Sequence, residues 1–321
     1  MARQYGSDRQ ARRRKIDRSI FAIVCGIVAM LVLVFGVDSG QYNELISGFT
    51  RACRQVTDST AQVPDGQMII HMIDVGQGDS VLVQTSEANI LIDAGEVGKG
   101  DEVLEYLNSV GVERLNWVIC THPHSDHLGG MTAVLKEMPA DNVMMPAYPE
   151  SLEVYERFYL ELRGILELKE IPITTAQPGA EYTFGELKMK VLWPADWQFS
   201  DDLNDWSTAL RFSYGELDFL TCGDITEKAE LQLLMSGAAV EAEIIKSSHH
   251  GSSYSSCEEF LSAAAPELAL ISCGKGNSYQ HPHDNLLKRY RQHDIKWKRT
   301  DVCGNIRVIC ENGEYTIKTQ K

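Results

Sequence analysis

The segment Thr121-His-Pro-His-Ser-Asp-His-Leu-Gly-Gly130 follows an apolar run, LNWVIC over 115–120, and packs three histidines and a carboxylate into six positions. An extended chain sends residues two apart to the same face, so His122 and His124 point one way. Asp126 and His127 follow where a helix is expected to start, which turns a carboxylate and a third imidazole back toward that face. Imidazole and carboxylate are the donors zinc takes when no thiolate cluster is present. The stretch therefore reads as a metal-ligating loop at the end of a strand, and it needs further donors from elsewhere in the chain.

Such donors stand at the ends of two other apolar runs. Asp224 closes LDFLTCGD, and His249 and His250 follow EIIKSS. Taken alone, Asp224 is also a good N-cap for the helix expected over ITEKAELQ, and both roles are open at this stage.

Outward from these points the chain alternates strands and helices. MIIHMIDV, DSVLVQT and NILIDAG are short β-branched runs split by glycine-rich or polar turns, DEVLEYLNSVG has helical spacing with a glycine stop, and RLNWVIC is a strand. Helices are expected over GGMTAVLKEM, residues 151–167, TEKAELQLLMSG, CEEFLSAAA and PHDNLLKRYRQH. Strands are expected over NVMMP, LKMKVLWP, TALRFSYG, LDFLTCGD, EAEIIKSS, LALISCG, IKWKRT, NIRVIC and EYTIKT. Runs of strands broken by helices in two comparable halves predict an α+β fold of two packed sheets with helices outside.

The amino terminus has a different character. Residues 1–18 carry seven Lys and Arg against two Asp, and residues 19–37 then run without a charge. Nineteen residues at about 1.5 Å each match the roughly 30 Å hydrocarbon layer, so 19–37 is expected to be an uncleaved transmembrane anchor. The basic tail places the amino terminus in the cytoplasm and the rest outside the cell membrane. A polar linker is expected over 38–66 and the folded domain over 67–321.

The whole chain carries a formal charge of −15, and residues 19–321 hold 23 basic against 43 acidic residues, or −20. A polyanion is repelled by such a surface on average, so nucleic-acid binding requires a local basic groove that the totals hide. Of eight cysteines, seven lie beyond the apolar span, too odd a number to pair fully within one chain. Several sit in strand-like runs as small buried hydrophobes; a bridge between Cys303 and Cys310 is open, and spacing alone does not decide it.

Beyond these residue-level signals, THPHSDHLGG resembles the zinc motif of the metallo-β-lactamase fold. IDVGQGDSVLV, ILIDAG, LTCGD, IIKSSHHGSS, ISCGKGNSYQHPH and KRTDVCGNI, in that order, narrow the resemblance to the hydrolase-like domain of ComEC-type competence proteins and their stand-alone relatives. It covers roughly Met68 to the end. The resemblance implies an αββα sandwich with two zinc ions, or manganese, at the strand ends between the sheets. His122, His124 and Asp224 would hold the first. Asp126, His127, Asp224 and one of His249 and His250, with His250 preferred, would hold the second, Asp224 bridging. The extra histidine that many members place on the first metal has no counterpart, because no histidine lies between His127 and His249. Asn204 and Ser207 stand where the family has an Asn/Ser-containing loop.

Other polar residues flank the same segments. Asp74 and Asp79 border VGQG, where glycines permit a tight connection. Asp79 is expected either to bond a ligand imidazole or to fix its turn, and Asp93 in LIDAG is similarly placed. His281 either approaches a substrate phosphate or caps the helix that follows it.

The expected activity is that of an outward-facing, membrane-anchored binuclear zinc hydrolase, a phosphodiesterase with DNA among the substrates the resemblance implies. Asp126 would orient water, and His249 or His281 would hydrogen-bond the substrate or protonate the leaving group. Two alternatives stand beside it: hydrolysis of a small envelope phosphodiester, such as a phosphocholine ester or nucleotide, and a tethered binding module without turnover.

Overall fold

Alternating burial decides the architecture. In the strand 89–92, Ile90 and Ile92 face one apolar cluster and Leu91 another; Val81 and Val83 likewise oppose Leu82, and Ile244 opposes Ile245. Strands apolar on both faces must be covered on both, which requires layers on either side of each sheet.

A computed structural model describes residues 63–148, 157–195 and 200–321. The expected basic tail, the membrane anchor at 19–37, most of the linker and the first part of the helix at 151–167 lie outside the described residues. Among the described residues no helix is long and apolar enough to cross a membrane.

One sheet has eight strands. It comprises β1 (Gln67–Met72), β2 (Val81–Gln84), β3 (Asn89–Ile92), β4 (Trp117–Ile119), β5 (Val143–Pro146) and β6 (Ile173–Ala176), together with β14 (Ile306–Glu311) and β15 (Glu314–Thr319), in the order β15-β14-β1-β2-β3-β4-β5-β6. The other has seven: β7 (Glu181–Phe184), β8 (Leu187–Trp193), β9 (Ala209–Tyr214), β10 (Leu217–Thr221), β11 (Ile244–Lys246), β12 (Leu268–Ile271) and β13 (Lys296–Arg299), ordered β13-β12-β11-β10-β9-β8-β7.

The central core lies between the sheets, where Met68, Ile70, Ile92, Ile119 and Met144 meet Met189, Leu210, Phe212, Phe219 and Leu270. On the outer face of the first sheet pack α1 (Gly100–Ser109), α2 (Ser125–Leu128), α3 (Met131–Glu137) and α4 (Arg157–Leu168). The second is covered by α5 (Glu227–Met235), α6 (Glu258–Ala264) and α7 (Asp284–Gln292), and the short α8 (Thr300–Cys303) follows β13.

Two expectations change. The two packed sheets are as expected, but they are not built from consecutive halves of the chain, because β14 and β15 return to the first sheet and β14 pairs antiparallel with β1 in the register Met68↔Cys310. The polar edge strands β6 and β7 escape a search for apolar runs, as does α8. Cys303 and Cys310 are both free, as are the other four cysteines among the described residues.

Candidate metal centre

The parallel strands β3, β4, β10 and β11 end at one edge of the sandwich, and the loops leaving them carry Asp93, His122 to His127, Asp224, and His249 with His250. Asp79 reaches the same edge just before β2. A tight turn sets it there: Gly78 has φ +130, and a Cβ on it would lie 2.3 Å from the Asp126 carbonyl oxygen. Asp79 N donates to Asp126 O at 3.0 Å, which joins that turn to the histidine loop.

The side chains converge tightly. His127 Nε2 lies 3.1 Å from Asp224 Oδ2 and 3.3 Å from His250 Nε2; His250 Nε2 lies 3.0 Å from Asp224 Oδ2 and 3.1 Å from Asp126 Oδ2. His122 Nε2 and His124 Nδ1 are 3.0 Å apart. His122, His127, Asp224 and His250 are all buried, while Asp126 and His124 are partly exposed.

Behind the rings, carboxylates fix which nitrogen faces the centre. His127 Nδ1 is 2.7 Å from Asp93 Oδ2, which also accepts from Thr121 Oγ1 at 2.7 Å. Thr121 Oγ1 in turn lies 3.1 Å from His122 Nδ1. His122 and His127 thus have Nδ1 directed at an acceptor and the Nε2 lone pair directed inward, the arrangement that raises ligand basicity, whereas His124 turns its Nδ1 toward His122.

Asp79 belongs to this outer layer. Its carboxylate can be grouped with His127, Asp224 and His250 within 4.8 Å. Its contacts, however, are to Nδ1 atoms, 3.2 Å on His250 and 3.8 Å on His127, not to the inward Nε2 atoms. The His250 contact is electrostatic rather than an aligned hydrogen bond, since Asp79 Oδ1 and His250 Nδ1 both lack a hydrogen-bond partner.

Lys246, the one charge in the buried strand β11, was not singled out by the sequence reading. Its ammonium donates to Gly223 O at 2.8 Å, pairs with Asp224 Oδ1 at 3.2 Å and with Asp79 Oδ2, and is 3% exposed. It holds one oxygen of Asp224 and leaves Oδ2 to face the imidazoles. A lysine closing the run EIIK was the only signal, and a strand-end lysine normally reaches solvent.

Electrostatics follow from this crowding. Burial opposes ionisation of Asp224, yet His127, His250 and Lys246 hold it well below the usual carboxylate range. Burial likewise disfavours charge on His127 and His250, but the surrounding aspartates raise both well above an ordinary histidine. His122 moves the other way, because burial and the neighbouring His127 both penalise its charge. Burial would discharge Lys246; Asp79 and Asp224 override it and keep it an ammonium.

These residues fit a divalent metal. Ligands at about 2.0–2.1 Å from one ion stand about 3.0 Å apart in octahedral and about 3.3 Å apart in tetrahedral arrangements, the range seen between the inward atoms here. Four carboxylates, Asp79, Asp93, Asp126 and Asp224, face one lysine, so with neutral imidazoles the cluster carries a formal −3. Proton uptake by His127 and His250 is the metal-free answer to that charge, and bound cations are the other.

The remaining candidates sort by position. His281 is buried at the rim, its ring centroid 5.8 Å from that of His249 and 6.2 Å from that of His250. Burial and the neighbouring His250 lower it to about 4, and burial lowers His249 as well, so both are neutral at pH 7. Their Nδ1 atoms are buried without partners. The caps of the helices differ from expectation: His283, not His281, caps α7, and Thr226, not Asp224, caps α5, since Asp224 lies two residues too early. Ser207 Oγ accepts from Asp224 N at 3.0 Å and so positions that carboxylate through its backbone. Asn204 lies in a short 3-10 turn, Leu203–Trp206, and among the described residues no hydrogen bond joins its side chain to the cluster; its Oδ1 is buried without a partner among them. Asp74 is not brought to the site. Its carboxylate accepts from Gly76 N at 3.3 Å and pairs with Lys321 at 3.5 Å, because it closes the turn after β1 on the side facing the chain terminus.

Comparison with known proteins agrees with this geometry. Competence protein ComA of Neisseria gonorrhoeae is 33% identical over 246 residues, 75% of this chain and 32% of the relative. ComE operon protein 3 of Bacillus subtilis (strain 168) is 29% identical over 265 residues, covering 76% of this chain and 33% of the relative. The chain thus spans about a third of the length of the curated relatives it matches. Among solved structures, the CmlA beta-hydroxylase E377D mutant shares the fold, with a TM-score of 0.51 at 14% identity over 86% of this chain and 60% of that one. Residues 73–275 match the family described as Metallo-beta-lactamase superfamily. With that match spanning the histidine loop, Asp224 and both histidines after β11, the chain belongs to the metallo-beta-lactamase superfamily.

Proposed function

We propose that the protein is a metal-dependent phosphodiesterase held at the cell membrane by residues 19–37, with its hydrolase domain outside. The observation that carries the reading is the convergence of His127 Nε2, His250 Nε2 and Asp224 Oδ2 within 3.3 Å, each ring backed by a carboxylate. His122, His124 and Asp224 would hold one ion, and Asp126, His127, Asp224 and His250 a second, zinc by donor type with manganese as the alternative.

Two divalent ions there supply Lewis-acid polarisation of a phosphoryl oxygen and acidify water at neutral pH. The chain's own residues do the rest. Asp126, partly exposed and 3.1 Å from His250 Nε2, accepts a hydrogen bond from the attacking water and orients it. His249 and His281, neutral at pH 7, donate hydrogen bonds to the substrate's non-bridging oxygens; a group lowered to about 4 is a poor reservoir of protons, which argues for binding over leaving-group protonation at His281.

Charge selects the substrate class. Against the formal −3 of the protein groups, two divalent cations would leave +1 before water is deprotonated and a neutral centre after it, so a monoanionic diester would meet no opposing net charge there. The formal −20 of residues 19–321 favours a small envelope diester as the second reading.

The test is metal analysis of the purified full chain together with bis(p-nitrophenyl) phosphate turnover. About two metals per chain and chelator-sensitive cleavage that His124→Ala abolishes are expected. A fully metallated protein that cleaves no diester would refute the reading.

A further inference from the structure

The first sheet ends in β15, and the charges along that edge oppose one another. β14 and β15 are joined by the two-residue turn Asn312-Gly313, with φ +52 and +75, and pair in the register Glu311↔Glu314, Ile309↔Thr316 and Arg307↔Lys318. On one face of this hairpin Glu therefore stands directly opposite Glu and Arg opposite Lys, an unfavourable placement of like charges. Glu311, Glu314 and Lys318 are exposed and form no ion pair among the described residues. The edge strand β7 differs, because its Glu181 faces Lys190 of β8.

Hydrogen-bond alternation decides what the outer flank of β15 offers. Gln320 N donates to Asn305 O, so residues 314, 316 and 318 also turn their backbone groups toward β14, and residues 315, 317 and 319 turn theirs outward. Among the described residues no strand pairs on that side. The side chains of Tyr315 and Ile317 are half-buried against the core between the sheets, which leaves Glu314, Thr316 and Lys318 on the opposite face.

We propose that β15 pairs antiparallel with β15 of a second copy of this chain, about a two-fold axis that passes through Thr316 and is normal to the sheet. That register sets Glu314 opposite Lys318 of the second copy, Lys318 opposite its Glu314, Tyr315 opposite its Ile317, and Thr316 opposite itself. Glu314 and Lys318, each facing a like charge inside its own hairpin, gain an opposite charge across the axis. Tyr315 and Ile317 of the two copies exchange backbone hydrogen bonds and make an aromatic–β-branched contact. Centring the pairing on Tyr315 or Ile317 keeps the hydrogen bonds and loses both ion pairs, so the charges choose the register. A lysine on a sheet edge ordinarily guards it against pairing, and here the second copy supplies the counter-charge. β13 has no such match, because Lys296, Lys298 and Arg299 would meet one another. The axis reverses strand direction and joins two eight-stranded sheets into one, with a metal centre at each end. One strand a side is less than the ~1,200 Å² of stable complexes, so the dimer is reversible, and tethering both copies to one membrane favours it through effective concentration. The inference does not depend on the chemistry of the cleft.

The test uses the full chain in detergent, followed by sedimentation velocity over a concentration series and by mild oxidation of cysteine variants. Thr316→Cys should give a disulfide-linked dimer, because a non-hydrogen-bonded antiparallel pair holds its Cα atoms about 4.5 Å apart, within disulfide reach. Glu314→Cys should not, since residue 314 of the second copy lies four residues along the strand, about 13 Å away. Glu314→Lys and Lys318→Glu should each weaken self-association at least about tenfold, by turning two attractive pairs into repulsive ones. Both substitutions relieve a like-charge pair inside the hairpin, so the fold is kept, and an unchanged melting temperature certifies it. An equimolar mixture of the two variants should associate as tightly as the parent, because each supplies the charge the other needs. A parent that stays monomeric across the series, single variants that associate as well as the parent, a mixture no tighter than its components, or linkage at 314 in place of 316 would each overturn the proposal.

Discussion

Replacing Lys246 by Met tests how the charges of the metal centre are balanced. Lys246 is 3% exposed and serves Gly223 O at 2.8 Å, Asp224 Oδ1 at 3.2 Å and Asp79 at once. Met fills much of the same volume, so the change is chiefly electrostatic. It leaves two buried carboxylates and a carbonyl without their donor, and removing one partner of a buried ion pair costs about 3–5 kcal/mol. For a domain of this size, about 2–4 °C per kcal/mol puts the fall in Tm at about 6–20 °C. The loss should be largest in chelator, because divalent cations on the far side of Asp224 offset part of the missing positive charge. Thermal and urea unfolding of both proteins, each with excess EDTA and with zinc, measures the difference. A metal-free variant within about 1 kcal/mol of the parent would refute the view that Lys246 balances this cluster.

Asp93→Asn removes the carboxylate 2.7 Å from His127 Nδ1, and metal affinity by competition with a chelating dye should fall about 10–100-fold. Gly78→Ala forces a Cβ to 2.3 Å from Asp126 O at φ +130, so about 1–3 kcal/mol or more of stability should be lost along with metal occupancy. Metal-free stability should peak near pH 6.5. His127 and His250 have raised folded values, so their contribution is complete below about 6.5 and is lost as pH rises through those values. His71 and His281 are lowered by burial to about 3 and about 4, so theirs is present above about 6.5 and lost as pH falls toward those values. Metal should flatten the alkaline limb, because ligating imidazoles no longer take up protons; denaturant midpoints from pH 5 to 9 with and without zinc would show an unchanged limb if this is wrong.

Apolar runs were legible wherever a strand is covered on both faces, as in VLV at 81–83 and LALI at 268–271, because periodicity reports burial. β6 and β7 were not, since they are polar edge strands held by their neighbours' backbone. The histidine loop was legible because its donors are local in sequence. Asp79 was ambiguous because its function depends on which nitrogen of His250 it faces, a matter of tertiary approach. Lys246 was invisible because nothing in a one-dimensional text distinguishes a lysine that ends a strand in water from one that ends it between two carboxylates.

The return of β14 to β1 imposes an order on biogenesis. Met68 has its cross-strand neighbour at Cys310, so one flank of β1 stays without a mate until β14 has been made. Sheet closure over so long a loop is slow, and an open strand flank invites foreign partners meanwhile. Nascent chains cut short of Ile306 should therefore aggregate, and sheet closure should wait on the synthesis of β14.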